Sequence, residues 1–438
     1  MSDRQSLGPS LLQGCKFVSL LCPYFCRKRK VSTTIIEKKV EWELTKEEMK
    51  RICRYLQIYD EDGFSAIFPH KLHQQWDEYI LHDLYETWVW HIYGNKDDIL
   101  PNLKRFSELV KGQWSGSVEQ KARIIFAILL RTSYEETENN GLKINKYNIV
   151  KYFCEVFATC LRGMCLRNYP EILMWMSCDA DLNESKLHIA MNFFAEELPD
   201  MAEVADLRKL MCNHIILGDV LKSVIEMCFG IAPLTNRMVP FPISSTRTIL
   251  DITHIVMLTA FIGGGVESYE WQMLYNVKED FSWSQFESAV LRKGPTIILL
   301  RDRENWVFGG YASSSWKVSS KFYGNRRSFL FRLFPTFKVF RPSNSDDNFM
   351  YLSRGQQSLP SGLAMGGDMD NFGIWINIDK PVGKCNSVCP TFAGYECLSA
   401  MSNFFYTDME VWRLVSRTLA PVTPRGQCSS TSELHWQR

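Results

Sequence analysis

The chain has 438 residues, too many for one ordinary domain and suited to two or three. Hydrophobic residues at 46% and charged ones at 23% are close to globular averages and exclude wholesale disorder. Lys+Arg 50 against Asp+Glu 49 leaves a formal charge of +1, which argues against a general nucleic-acid binder. Such binders rely on clustered basic residues that neutralise phosphates.

The N-terminal tail, residues 1–44, carries the apolar run Phe17–Cys26, interrupted by Pro23. Its basic cluster lies on the wrong side for a signal peptide. At about 10 residues it falls short of the roughly 20 needed to span a bilayer. Cys15, Cys22 and Cys26 sit beside Arg27, Lys28, Arg29 and Lys30. Acylated thiols next to a polybasic stretch form a two-signal anchor, each cation adding about 1 kcal/mol near an anionic surface. The cysteines are thus candidate lipidation sites and the four basic residues candidate membrane-surface contacts. A solvated tail or a weak nuclear-localisation match is the competing reading. Ser2 after Met1 excludes N-myristoylation.

Residues 45–230 read as helical. Ala122, Ile125, Phe126, Leu129 and Leu130 recur on one helical face, and Val150, Phe153, Phe157 and Leu161 repeat the pattern. The acidic, glycine-ended connection Glu135–Gly141 between them suggests an EF-hand loop. With Gly141 at loop position 6, position 12 falls on Tyr147, where calcium needs a bidentate Glu. Asp60-Glu61-Asp62-Gly63 fails likewise, with Pro69 at its twelfth position. The region is expected to be a degenerate EF-hand-like domain without metal or other cofactor.

Pro233, Pro240 and Pro242 mark residues 231–248 as a linker or extended entry segment. A helix begins at Asp251. A second has Ser282 as N-cap, a capping box closed by Gln285, a Phe281–Phe286 staple, and Gly294-Pro295 at its end. Strands follow at 296–300, 306–312, 328–334, 337–340, 349–352, 372–378 and 409–414, with a polar hairpin turn at Asp302–Asn305. Many short strands with glycine-rich turns imply an antiparallel sandwich with the helices packed on it, making the whole chain α+β. The serine-containing tail 415–438 reads as flexible.

The 14 cysteines form no disulfide or zinc framework. They are expected to be reduced, most of them small core hydrophobes in a cytoplasmic chain. No P-loop, H-E-x-x-H, G-x-S-x-G or kinase set occurs. Gly263-Gly264-Gly265 lacks the following Lys and Ser/Thr of a phosphate loop. A Cys–His nucleophile pair in the β-rich half would have to join His254 to Cys385, Cys389 or Cys397. No catalytic residue is assigned.

Several ordered motifs in the β-rich half carry a family resemblance. Trp306–Ser313 (W-V-F-G-G-Y-A-S) resembles the V-F-G-G-F-A-S core of TLDc domains, with Gly309, Gly310, Ala312 and Ser313 at its centre. Gly362–Gly367, ending in Gly366-Gly367, and Phe372–Ile376, containing Gly373 and Trp375, resemble the family's glycine-rich strand pair. Cys389-Pro390-Thr391-Phe392, then Leu398-Ser399, then Met409-Glu410-Val411-Trp412 resemble its C-terminal motifs C-x-T-F, L-S and [ED]-[VI]-W. Trp271–Tyr275 resembles its early W-x-L-L-Y strand. The resemblance spans residues 239–414. Ala393-Gly394-Tyr395 departs from it where the family commonly has Asn, and puts a local loop contact in question.

A helical EF-hand-like half before the TLDc half resembles the TOR-associated kind of TLDc protein. The resemblance implies a non-enzymatic adaptor that binds V-ATPase subunits and TOR pathway components at the lysosomal membrane surface. It leaves two alternatives: an oxidation-resistance factor with redox-active thiols, and a membrane-tethered scaffold acting through the helical half. The glycines and aromatics of the motifs are expected to be structural, with Glu410 and Ser313–Ser315 as candidate surface contacts.

Overall fold

A computed structural model describes residues 43–58, 67–94, 101–138, 141–166, 180–232, 248–250, 252–263, 269–277, 282–355, 360–377 and 379–416. Several sequence expectations lie outside them: Cys15, Cys22, Cys26 and Arg27–Lys30, Asp60–Gly63, Pro233, Pro240, Pro242, the Asp251 cap, Phe281 and almost all of the C-terminal tail.

The first part is helical. It runs α1 (Lys46–Tyr55), α2 (Pro69–Trp76), α3 (His82–Tyr93), α4 (Leu103–Ser107), a π-helical turn (Glu108–Gly112), α5 (Gln113–Ser115), α6 (Val118–Leu130) and α7 (Lys146–Leu166). Three helices follow: α8 (Ala180–Glu196), α9 (Val204–Asn213) and α10 (Ile215–Phe229). Capping boxes start α1, α6 and α9, pairing Thr45 with Glu48, Ser117 with Gln120 and Glu203 with Asp206, each satisfying otherwise orphaned amides. Trp76, Trp88 and Phe229 fill the centre in edge and stacked contacts 5.0–6.2 Å apart. The Trp76 indole donates to the Cys228 carbonyl at 2.8 Å.

Strand β1 (Ile144–Asn145) pairs antiparallel with β2 (Met201–Ala202). The loop after α6 is therefore matched with the loop between α8 and α9. Two helix–loop–strand–helix units joined by a two-residue ladder have the layout of an EF-hand pair. The second member, around Asp200, has no acidic-glycine loop to betray it in the sequence.

The second part contains α11 (Ile252–Ile262), α12 (Trp283–Val290) and ten strands: β3 (Tyr269–Val277), β4 (Thr296–Asp302), β5 (Val307–Ala312), β6 (Phe329–Phe334), β7 (Lys338–Phe340), β8 (Tyr351–Ser353), β9 (Gly362–Gly367), β10 (Phe372–Ile376), β11 (Val382–Lys384) and β12 (Asn403–Ser416). The order is β7-β6-β5-β4-β12-β11-β10-β9-β8, with β3 also on β12, and every pairing is antiparallel. β12 links the two faces of the sandwich. Its first residues, Asn403–Phe405, pair with β11, while its later part lies between β4 and β3.

Alternation along the strands builds two cores. Ile298, Leu300, Leu330, Met409 and Val411 face the sandwich interior. Ile297, Leu299, Phe329, Phe331, Trp412 and Leu414 point the other way, into one apolar cluster shared with the helical part. Phe193 of α8 meets Phe261 of α11 at 5.4 Å and Phe337 before β7 at 5.6 Å. The helical part thus covers the outer face of the sheet.

Helix α12 corrects two details. Ser282 accepts from the Gln285 amide at 3.5 Å, but the described contacts include no return bond from the Gln285 side chain. The helix ends at Val290, short of Gly294-Pro295, because Leu291 turns extended and bridges to Trp316.

Candidate functional site

Most of the glycines and the Cys389–Phe392 loop that carry the family resemblance line the sandwich interior, whereas Trp271 and Trp412 pack on the opposite face of the sheet. Gly309 and Gly310 lie in the middle of β5. A Cβ on Gly309 would sit 1.9 Å from the Ile298 carbonyl oxygen, and one on Gly310 would sit 2.5 Å from the Met365 sulfur. The first glycine permits close approach of β4, the second close approach of the opposite sheet. Ala312 is fully buried on the same strand.

Gly366, Gly367 and Gly373 form the seat of the Cys389–Phe392 loop. Gly366 has φ +73° and Gly367 φ +84°, backbone that disfavours side chains. A Cβ on Gly366 would meet Phe392 at 2.6 Å and the Cys389 sulfur at 2.7 Å, and one on Gly373 would meet that sulfur at 2.8 Å. The Thr391 hydroxyl accepts from the Gly367 amide and donates to Asp346, both at 2.8 Å. Cys389, Thr391 and Phe392 are buried, and burial raises the Cys389 thiol pKa. Trp375, on β10, is half-buried.

Glu410 corrects an expectation. It is buried because its carboxylate is the acceptor that closes the entry segment: the Thr248 hydroxyl donates at 2.6 Å, the Ile249 amide at 2.8 Å and the Trp412 indole at 3.0 Å. Desolvation raises its pKa despite these bonds. Ser313 is likewise 9% exposed, donating to the Asn325 side-chain oxygen at 2.7 Å and bonded to the Ser328 hydroxyl at 2.8 Å. Neither residue is a surface contact.

Two buried charges were not found from the sequence. Asp302 accepts from the Trp306 amide at 2.8 Å and from Ser399 of the L-S motif at 2.5 Å. Arg332 donates to Glu396 at 3.1 Å, to the Cys397 carbonyl at 3.2 Å and to Thr336 at 2.8 Å, and lies over Trp306. The signal each offers is a charged residue in an apolar strand, at the end of β4 for Asp302 and inside β6 for Arg332. The departing Ala393–Tyr395 segment makes contacts of its own: Ala393 donates to the Arg341 carbonyl at 2.8 Å, and the Tyr395 hydroxyl donates to the Gly373 carbonyl.

In the helical part, Asp83, Glu86, Arg131, Lys151 and Glu155 line a polar pocket of about 290 Å³. Lys151 binds Asp83 at 2.6 Å and approaches Glu155 at 3.7 Å. Burial raises the Glu155 pKa to about 7, while the Lys151 hydrogen bond lowers that of Asp83. The lining has no histidine or cysteine to act as a nucleophile–base pair.

The EF-hand-like loops direct their carboxylates to cations of the chain. Glu135 pairs with Lys104, Glu138 with Arg123 at 2.9 Å, Asp200 with Lys146 at 2.8 Å and Glu203 with Lys143 at 3.3 Å. The Glu136 carboxylate accepts from Thr132, and Tyr147 is exposed.

A family model described as "TLDc domain" matches residues 243–415. The chain is 34% identical over 204 residues to the MTOR-associated protein MEAK7 of Gallus gallus, covering 45% of this chain and 42% of that protein. It is 35% identical over 169 residues to the Homo sapiens protein of that name, covering 38% and 37%. It is 30% identical over 166 residues to the nuclear receptor coactivator 7 of Mus musculus, covering 37% and 17%. The chain thus spans about two-fifths of the length of the first relatives it matches.

Proposed function

Residues 243–415 being a TLDc domain, we propose that the chain is a non-enzymatic adaptor of TOR signalling that binds the V-ATPase at the lysosomal membrane. One observation carries this reading: the chain is 34–35% identical over 169–204 residues to proteins named for association with mTOR. The burial of the family motifs supports it too. Glycines that admit close strands and a threonine that anchors a loop maintain a scaffold, and a scaffold presents surfaces to partners. Membrane attachment would fall to residues 1–44, through Cys15, Cys22 and Cys26 and the Arg27–Lys30 cluster. Among the described residues no helix is long and apolar enough to cross a membrane.

The test is affinity capture with the full chain from detergent-solubilised lysosomal membranes. Recovery of pump subunits together with TOR pathway components is expected. A capture lacking both would overturn the reading. Deleting residues 1–44 is expected to abolish sedimentation with intact membranes while leaving capture from detergent extracts unchanged.

A further inference from the structure

The thiols of Cys385 and Cys397 lie 2.6 Å apart, inside van der Waals contact and about 0.5 Å beyond a disulfide bond. They sit at the two ends of the loop from β11 toward β12 that carries Cys389–Phe392. Cys385 is fully buried and Cys397 is half-exposed. The backbone holds them together: the Cys385 amide donates to the Ser402 carbonyl at 2.8 Å, and Arg332 holds the Cys397 carbonyl at 3.2 Å. From this juxtaposition we propose that Cys385 and Cys397 are a peroxide-oxidisable dithiol, a modification site that closes reversibly to a disulfide.

The two sulfurs are unequal in the way such chemistry requires. The hydrogen bond from Cys385 brings the Cys397 thiol down to about 7, and the Ser399 amide, the Ser402 hydroxyl and Arg332 add to the effect against desolvation. The same contact, with burial, raises Cys385 and keeps it protonated. Cys397, the half-exposed sulfur that a peroxide can reach, is the nucleophile, and the buried Cys385 is the resolving thiol. The Cys397 thiolate attacks a peroxide oxygen; the O–O bond breaks and the departing hydroxide takes a proton to leave as water, with sulfenic acid on sulfur. Cys385 then attacks that sulfur, its proton leaving with the displaced hydroxide as a second water. Two thiols lose two electrons and hydrogen peroxide becomes two waters. A reducing thiol reverses the bond by exchange. Cys389 takes no part: its sulfur is packed against Gly366 and Gly373. The inference is independent of any adaptor role.

The test is mass spectrometry of the full chain, treated with stoichiometric hydrogen peroxide and alkylated without reduction. No Lys or Arg lies between Lys384 and Arg413, so trypsin releases all three cysteines in one peptide, and cleavage after Glu396 then separates Cys397. The expected product is two hydrogens lighter, stays joined after the second cleavage, and comes apart on reduction. Cys389→Ser leaves the product intact, whereas Cys385→Ser loses it and leaves a sulfenic acid on Cys397 that dimedone traps. Free alkylated Cys385 and Cys397 after peroxide treatment, or Cys397 joined to Cys389, overturns the proposal. The wild-type and Cys389→Ser chains decide the question even if Cys385→Ser does not fold.

Discussion

Glu410 shows how one buried carboxylate organises its surroundings. It collects three donors from the entry segment and its own strand. Glu410→Ala would leave the Ile249 amide and the Trp412 indole without their acceptor. Unsatisfied buried groups cost about 1–3 kcal/mol each. A loss of about 3 kcal/mol is expected in urea unfolding, with a smaller one for Glu410→Gln, which keeps one acceptor. Glu155 gives the opposite kind of prediction. Its pKa in the fold is raised to about 7 from 4.5. The folded state then binds the proton more tightly, so this carboxyl favours folding below pH about 4.5, and that contribution is lost as pH rises through about 7. Glu155→Gln mimics the protonated form. Its advantage over wild type is expected to be near zero at pH 4 and to grow to the order of 1 kcal/mol by pH 8, allowing for solvent screening. A constant difference across that range would show that Glu155 does not titrate this way.

At the scale of elements, the loops of the EF-hand-like pair are occupied by ion pairs within the chain. Adding millimolar calcium in place of a chelator is expected to leave the melting temperature unchanged within about 1 °C, since a ligand binding only the folded state would raise it. A clear rise would mean the loops can be freed to bind the ion. The same region marks the limit of what the sequence discloses. The helical faces around Ile125 and Phe153 announce themselves by spacing, and so do strands such as 296–300. The partner loop at Met201–Ala202 carries no acidic-glycine pattern, and it is found only through its ladder to β1. The three-residue β11 is too short for any alternation to register. β12 extends six residues ahead of the 409–414 segment because its first residues pair with β11 rather than β4, a choice made by long-range contacts. The motif glycines were legible as structural, whereas Glu410 and Ser313 were not, since a polar residue becomes internal only once its distant partners are known.

At the scale of the whole molecule, the two parts joined near residue 250 share an apolar core. Phe193, Phe261 and Phe337 meet there, and the outer face of the sheet contributes Phe329, Phe331 and Trp412. A fragment of residues 239–416 would lay that face open, and exposed apolar patches of this kind drive self-association. Light scattering is expected to show the fragment aggregating at concentrations where the full chain stays monodisperse; a fragment as well behaved as the full chain would contradict the shared core. The adaptor reading is best tested at this scale, with the intact chain. The most direct measurement is binding of the purified full chain to purified V-ATPase, read as a titration alongside the pump's rate of ATP hydrolysis. Saturable binding with a change in that rate is the predicted result, and a chain that neither binds the pump nor alters its rate would contradict it.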